Sequence, residues 1–342
     1  MSFEGTAADI DLASARFRLV GRVHRTPLLH SELLDAHSRS EVWLKAETFQ
    51  KGGSFKARGA FNSLLAALES GDRRGVLAVS SGNHGQAVAL AARELQLSAT
   101  VVMPEGSSPV KLAAVGGYGA TIVTKGVTGE NREDVALEMA ERLGLRLVHP
   151  HNDPLVIAGQ STVGSEIVDQ VRALGIRPTT VLVPVGGGGL LAGVVLAFRE
   201  LLPGVEVVGV EPASANDAQQ SLAAGRLVAL SQTPDTAADG ARTLHLGSLC
   251  WEVIRPRVTS VMTVTEQEIA EACWWLWSRC KLVVEPTGAM TVAAARQLRR
   301  AGAGDGDASS KQGSLVCILS GGNCAPRQIC DLLGPNIRET LS

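Results

Sequence analysis

The chain has 342 residues, 45% of them apolar, and a formal net charge of −2 with acidic and basic residues interspersed. That is enough for one large or two medium domains with a sizeable core. It excludes a basic nucleic-acid face and a polybasic membrane anchor. The opening stretch, MSFEGTAADIDLASARF, is acidic and has no apolar core of a secretory signal. The best apolar run, LLAGVVLAF (190–198), stops at Arg199, short of the ~18 residues a span needs, so a cytoplasmic protein is expected.

In chain order, short β-branched runs read as buried strands: VWLK (42–45), VLAVS (76–80), ATVVM (99–103), ATIV (120–123), LRLVH (145–149), TVLVPV (180–185), VEVVGV (205–210), SVMTV (260–264) and LVCILS (315–320). Between them, residues 85–95, 131–143, 161–174, 190–202, 266–279 and 289–300 carry apolar side chains at helical spacing. Such alternation predicts an α/β fold with parallel sheets covered on both faces. A compact run of strand–helix units over 73–149 predicts a small domain; 1–72 and 150–342 form a larger one. GAGDGDASSKQGS (302–314) reads as a surface loop. Six cysteines, all between Cys250 and Cys330 and without a CxxC pair, read as reduced core thiols.

The motifs carry the chemistry. In FQKGGSFKARGA (49–60), Lys56 stands between an aromatic residue and a run of small ones. Surface charge, phosphate ligand and nucleophile are all open readings. SSGNHGQAVALAA (80–92) concentrates Ser, Asn and His at the carboxyl end of a strand, where open α/β sheets bind ligands. Capping a helix needs one such residue. Free amides at this helix start are suited to a carboxylate. PVGGGGLLAG (184–193) sets four glycines between a strand and a helix, so main-chain amides and the helix dipole converge on an anion. Gly187-x-Gly189-x-x-Ala192, with Glu211 at the end of the next strand, also matches the dinucleotide fingerprint formally, so an NAD-dependent oxidoreductase is a distant alternative.

Together FQKGGSFKARGA, SSGNHGQA, VPVGGGGLLAG, EPTGA (285–289) and LSGGN (319–323) resemble the fold-type II pyridoxal-phosphate enzymes, most nearly the serine/threonine dehydratase and serine racemase group. The likeness runs from HRTPLLHS (24–31) to SGGN. It implies two parallel-sheet domains of the tryptophan synthase β-like architecture, the larger binding cofactor and the smaller on the substrate side, in a homodimer. It implies that Lys56 forms the Schiff base with pyridoxal 5′-phosphate, with burial lowering its pKa and Lys51 and Arg58 discouraging protonation further. By the same resemblance Gly186, Gly187, Gly188 and Gly189 cradle the phosphate, Asn83 bonds the phenolic oxygen and Ser320 faces the pyridine nitrogen. A hydroxyl there makes a weaker electron sink than an Asp, suited to elimination and racemisation. Ser80, Asn83 and His84 grip the substrate carboxylate. The implied reaction takes a 3-hydroxy amino acid (serine, threonine or 3-hydroxyaspartate) to a 2-oxo acid and ammonia, with Lys56 as the base at Cα and the cofactor phosphate as proton donor to the leaving hydroxyl.

Further positions refine this picture. Threonine dehydratases carry S-A-G-N-H where this chain has Ser81; serine racemases carry a second serine, which works on the cofactor face opposite the lysine. Ser81 therefore implies an alternative amino acid racemase with Lys56 and Ser81 as opposed bases, unless it only caps the helix. Glu211, the Ala215 carbonyl and Asp217 resemble the racemase branch's site for Mg²⁺ or Ca²⁺, against a solvated acidic loop. HPHND (149–153) departs from the family's HPFDDP-like segment. His149 and His151 lack a third ligand for zinc. His151 is expected to face the substrate pocket, its imidazole partly charged and favouring a second carboxylate. Lys51, Gln86 and Tyr118 coincide with part of the group's nucleotide-effector site, so an ATP effector is an expectation. CWWLWSRC (273–280) reads as core or dimer interface.

Overall fold

The computed structural model describes residues 5–38, 40–301, 312–325 and 327–332. Among these, the strands are β1 Leu28–His30, β2 Ser40–Ala46, β3 Val76–Val79, β4 Ala99–Val102, β5 Thr121–Val123, β6 Arg146–Leu147, β7 Pro178–Pro184, β8 Glu206–Pro212, β9 Val261–Val264 and β10 Gln312–Leu319. The α-helices are α1 Leu12–Arg18, α2 Glu32–Ser38, α3 Lys56–Glu69, α4 Asn83–Glu94, α5 Pro109–Gly116, α6 Arg132–Leu143, α7 Pro154–Leu174, α8 Gly189–Leu201, α9 Asp217–Ala224, α10 Ser248–Ile254, α11 Glu266–Trp275 and α12 Pro286–Ala301. Residues 302–311 of the expected glycine-rich loop lie outside the described residues.

Two sheets result. The larger has six strands in the order β1-β2-β10-β7-β8-β9, and the smaller has four in the order β5-β4-β3-β6. All pairings are parallel except β1 with β2, an antiparallel edge that the alternation did not predict. The mixed α/β class agrees with the expectation.

The alternating side chains of the central strands explain the layering. Val181, Val183, Val316 and Ile318 enter one core with α7, α8 and α10, while Leu182, Leu315, Cys317 and Leu319 enter the opposite core with α11 and α12. Each fully buried Val or Leu is worth ~1.5–3 kcal/mol, so an uninterrupted apolar run in a strand is selected by burial on both faces. In the small sheet Val76 and Ala78 pack with Ala57, Phe61 and Leu64 of α3 and with Val88 of α4, while Leu77 faces Ala136 of α6. The helix that begins with Lys56 is thus packed against the small sheet.

Helix α7 starts 7 residues before the apolar periodicity suggested, because Asp153 caps it by accepting from Leu155 N at 2.8 Å and Val156 N at 3.3 Å, with Pro154 in the first turn. It crosses α3 at Gly159, where a Cβ would stand 2.6 Å from the Arg58 carbonyl oxygen. Glycine there sets how closely the lysine-bearing helix docks. Tryptophans of CWWLWSRC divide: Trp275 is in the core, and Trp277 donates to Val284 O at 3.1 Å from a π-helical turn, Leu276–Cys280.

All six cysteines are free; Cys250, Cys273 and Cys317 are buried, whereas Cys280 and Cys324 are half-buried and Cys330 is exposed. The expectation of core thiols is corrected for the last three: they sit at the margin of the core or beyond it. Among the described residues no helix is long and apolar enough to cross a membrane.

Candidate active site

The carboxyl ends of β3, β7 and β10 lead into the serine–asparagine turn, the glycine loop and Ser320. The segment after β2 brings in Lys56, tied down by Phe55 N donating to Ser320 O at 3.0 Å and by a bridge between Ser54 and Gly321. Motifs far apart in sequence are therefore joined through main-chain contacts.

Lys56 is half-buried, and its Nζ donates to Pro150 O at 2.7 Å. Burial pushes its pKa down to about 8, against smaller opposing effects from Cys250 and Glu285. The expected help from Lys51 and Arg58 is corrected. Lys51 is paired with Glu94 at 2.8 Å, and Arg58 is fully buried between Glu47 and Glu166, at 2.8 and 2.7 Å. Their charge is compensated locally, and desolvation is what weakens the lysine as a base.

In the serine–asparagine turn, Ser80 Oγ accepts from Gly82 N at 3.1 Å. Helix α4 has Gly82 as its N-cap and no side-chain cap. Ser81 is half-buried and bonds no other described residue, so the capping reading of this serine is corrected. Asn83 Nδ2 donates to Glu285 Oε1 at 2.8 Å, and Asn323 Nδ2 donates to Asn83 Oδ1 at 2.9 Å. The amide is fixed in one orientation with a single N–H left to give. Glu285 and Asn323, in the EPTGA and LSGGN motifs, are functional neighbours that the sequence alone does not assign. Their signal was polar residues at the end of a strand and at a helix start. Burial raises the Glu285 carboxyl to about 7, partly offset by the Asn83 hydrogen bond.

The His84 side chain departs from its expected role. It is buried, its Nε2 donates to Val148 O at 2.8 Å, and its Nδ1 has no partner. Burial, with the nearby Lys56 charge, lowers its pKa to about 3. A neutral ring committed to a carbonyl does not grip a carboxylate; only the main-chain amide of this residue remains for that work.

Gly188, at φ +90°, caps α8 without a side-chain cap. Among the described residues the amides of Gly186, Gly187 and Gly188 donate to no acceptor. A Cβ on Gly186 would strike the Gly240 carbonyl, and one on Gly187 would strike the His151 ring. Ser320 is buried and its Oγ has no hydrogen-bond partner. Unpaired amides at a helix start suit a phosphate, and an orphaned buried hydroxyl suits a ring nitrogen. With the softened amine of Lys56, these features fit pyridoxal phosphate.

His151 is half-buried beside this loop. Burial, then His149, Lys56, His84 and His245, hold it well below its ordinary 6.5. The expected partial charge is corrected: the imidazole is neutral in these surroundings. Cys250, a buried thiol, donates to His151 O at 3.2 Å, and burial pushes the thiol up to about 12.

Glu211 and Asp217 are both buried, with Ala215 on the turn between them. Glu211 accepts from Gln219 N at 2.8 Å and Ala218 N at 3.2 Å, and Asp217 Oδ2 has no partner. Burial raises Glu211 to about 8 and Asp217 to about 6. The solvated-loop reading is corrected by this burial. Among the described residues no group of three or more His, Cys, Asp or Glu converges as a metal site. Of the nucleotide-effector positions, Lys51 lies over Phe61 at 5.2 Å and Tyr118 lies under Arg93 at 5.0 Å.

Similarity to known proteins points to the same cofactor. Residues 20–321 match the pyridoxal-phosphate dependent enzyme family. The chain is 40% identical over 332 residues to an L-threo-3-hydroxyaspartate ammonia-lyase of Saccharomyces cerevisiae, covering 96% of this chain and 98% of that one. It is also 40% identical over 313 residues to a serine racemase of Schizosaccharomyces pombe, covering 92% and 93%. The crystal structure of a T.th. threonine deaminase superposes with a TM-score of 0.85 at 47% identity, covering 94% of this chain and 99% of that one. These matches overturn the dinucleotide reading of the glycine loop.

Proposed function

Because the chain belongs to the pyridoxal-phosphate dependent enzyme family, we propose that it is an ammonia-lyase that converts a 3-hydroxy amino acid to a 2-oxo acid and ammonia. The observation that carries this reading is Lys56. Its half-buried amine has a pKa lowered to about 8, and its segment is bonded to the strand end bearing the unpaired Ser320 hydroxyl. The ammonia-lyase relative makes 3-hydroxyaspartate the first substrate to try, with serine and threonine beside it.

Lys56, Asn83, the amides of Gly186–Gly189 and Ser320 would hold the cofactor. When bound, pyridoxal phosphate supplies an aldehyde that links covalently to amines and a ring that delocalises the electron pair left at Cα. The protein contributes position and proton transfer. Lys56 Nζ takes the Cα proton, and the Pro150 carbonyl that now receives its hydrogen bond steadies it. Unused amides at the start of α4 receive the substrate carboxylate, with the Ser80 hydroxyl free to donate. The electron pair from the Cα–H bond forms the Cα=Cβ bond as the Cβ–O bond breaks, and the hydroxyl leaves as water, its added proton balanced by the one that Lys56 took from Cα. The enamine so released hydrolyses to the 2-oxo acid and ammonia.

The test is product analysis with L- and D-isomers of serine, threonine and 3-hydroxyaspartate. Stoichiometric 2-oxo acid and ammonia from an L-3-hydroxy amino acid support the reading. Exchange of the Cα configuration without ammonia release favours the racemase.

A second reading rests on Ser81, which neither caps α4 nor bonds another described residue. As a base on the second face it would allow racemisation. Ser81→Ala is then expected to lower isomer interconversion by ~100-fold or more while water elimination from the L-substrate falls less than ~10-fold. Equal losses in the two assays would reduce Ser81 to a structural role.

A divalent cation at Glu211, Ala215 and Asp217 belongs to the same proposal. Two neighbouring buried carboxylates repel each other when both are ionised, and a cation relieves that repulsion. Added ~1 mM Mg²⁺ or Ca²⁺ is expected to raise the melting temperature by ~2 °C or more in the wild type and not in Glu211→Gln. A wild type indifferent to both ions would remove the cation from the account.

A further inference from the structure

We propose that His151 is a direct ligand of the anion held by the glycine loop, a side-chain donor added to the main-chain amides of Gly186–Gly189. The inference rests on the cofactor reading above, in which that anion is the phosphate of pyridoxal phosphate.

His151 is seated against the glycine loop. Its ring lies against Gly187, where any Cβ would collide with it, and a Cβ on Gly189 would stand 3.0 Å from the His151 Cβ. The residue is therefore in contact with two of the four glycines. Its own main chain is committed on both sides. His151 N donates to His149 Nδ1 at 3.2 Å, and Cys250 Sγ donates to His151 O at 3.2 Å. The preceding carbonyl, of Pro150, receives Lys56 Nζ. These contacts fix the backbone, while among the described residues no side-chain or main-chain group bonds either ring nitrogen. Neither ring nitrogen is among the buried unpaired polar atoms of the described residues, so both keep surface open to an incoming partner.

The groups facing the ring are His149 on its own loop at a ring separation of 4.6 Å, Lys56 on α3, His84 on α4, His245 ahead of α10 and the Cys250 thiol on α10. All of the titratable groups acting on His151 disfavour its protonation, and no carboxylate acts among them. This corner is rich in donors and poor in acids, and an incoming dianion is the partner it lacks. Once that dianion is bound, its charge favours the N–H forms of the ring, and a charge-assisted hydrogen bond follows.

The experiment compares two aldehydes that differ only in the phosphate. Cofactor-free protein is titrated with pyridoxal 5′-phosphate and with pyridoxal, following the imine absorbance and trapping it with borohydride. Phosphorus NMR reports on the bound phosphate. His151→Phe is expected to weaken pyridoxal phosphate binding by ~10- to 100-fold and to leave pyridoxal binding within about twofold. It is also expected to move the bound phosphorus resonance. His151→Gln, which keeps an N–H donor, is expected to recover most of the lost affinity, and it serves as the variant of record should His151→Phe not fold. Unchanged pyridoxal phosphate affinity in the variants, or equal weakening for both aldehydes, overturns the assignment. Failure of the wild type to form a trapped imine with either aldehyde instead overturns the cofactor reading on which it rests.

Discussion

Lys56→Ala is expected to lower turnover of every substrate by ~1,000-fold or more, because on the proposed mechanism it removes both the covalent anchor for the cofactor and the base at Cα. The fold should survive. The Nζ makes one hydrogen bond to a described residue, to Pro150 O, and the packing of α3 comes from Ala57, Ala60, Phe61 and Leu64. Circular dichroism and the 2-oxo acid assay on the same preparation separate the two effects. The wild type carries a pH signature of its own. With a pKa near 8, about one tenth of the amine is neutral at pH 7, against roughly one part in three thousand for an ordinary lysine. Imine formation with added cofactor should therefore accelerate ~5-fold between pH 7 and 8 and level off above about pH 9. A rate that climbs steadily to about pH 10 would mean that burial does not soften this amine.

Arg58→Ala is expected to cost ~3–5 kcal/mol of stability, the range for opening a buried ion-pair network from one side. Arg58 bonds both oxygens of Glu47 and both oxygens of Glu166, at 2.7–2.9 Å. Lys45 Nζ reaches Glu166 at 2.7 Å, and Thr26 Oγ1 donates to Glu47 at 2.5 Å. All donors are matched, and the two cations balance the two carboxylates. Burial by itself pushes Glu47 up, and Arg58 with Lys45 brings it below its ordinary value. Once Arg58 is gone, burial acts against Lys45 alone and the folded-state pKa of Glu47 rises. A raised carboxyl favours the fold below its unfolded pKa and loses that advantage as pH climbs, so the variant should be less stable at about pH 8 than at about pH 5. Urea unfolding at the two pH values checks both statements; a loss under ~1 kcal/mol would show that the network is not a stability element. Because Arg58 follows Lys56 by two residues on α3, the same defect should also loosen the Lys56 amine.

Much of the architecture was legible because burial writes directly into a sequence. Runs such as TVLVPV and LVCILS are apolar at nearly every position because their strands are covered on both faces, and the glycine loop after β7 announces itself by composition. Short or unburied elements escaped. β1 has three residues and an exposed end, with too little pattern to read, and α7 begins at a polar cap and a proline. The same limit applied to the site. Lys56, Asn83, the glycines and Ser320 could be named from motifs, yet their neighbours could not. Arg58 read as a free cation until Glu47 and Glu166 closed around it, from positions that nothing in the local sequence connects.

The amino-acid sequence by itself determined the α/β class, the alternation that builds parallel sheets and the anion-binding character of the glycine loop, since these depend on local composition and short-range spacing; the aldehyde cofactor followed from the resemblance of five motifs to a known family. Only the tertiary structure decided which charges are neutralised, which imidazoles are neutral, and which hydroxyl and amides are left unpaired. Protonation and hydrogen-bond pairing depend on distance and desolvation, and both are set by segments such as 47, 58 and 166 or 83, 285 and 323 that meet only when the chain folds.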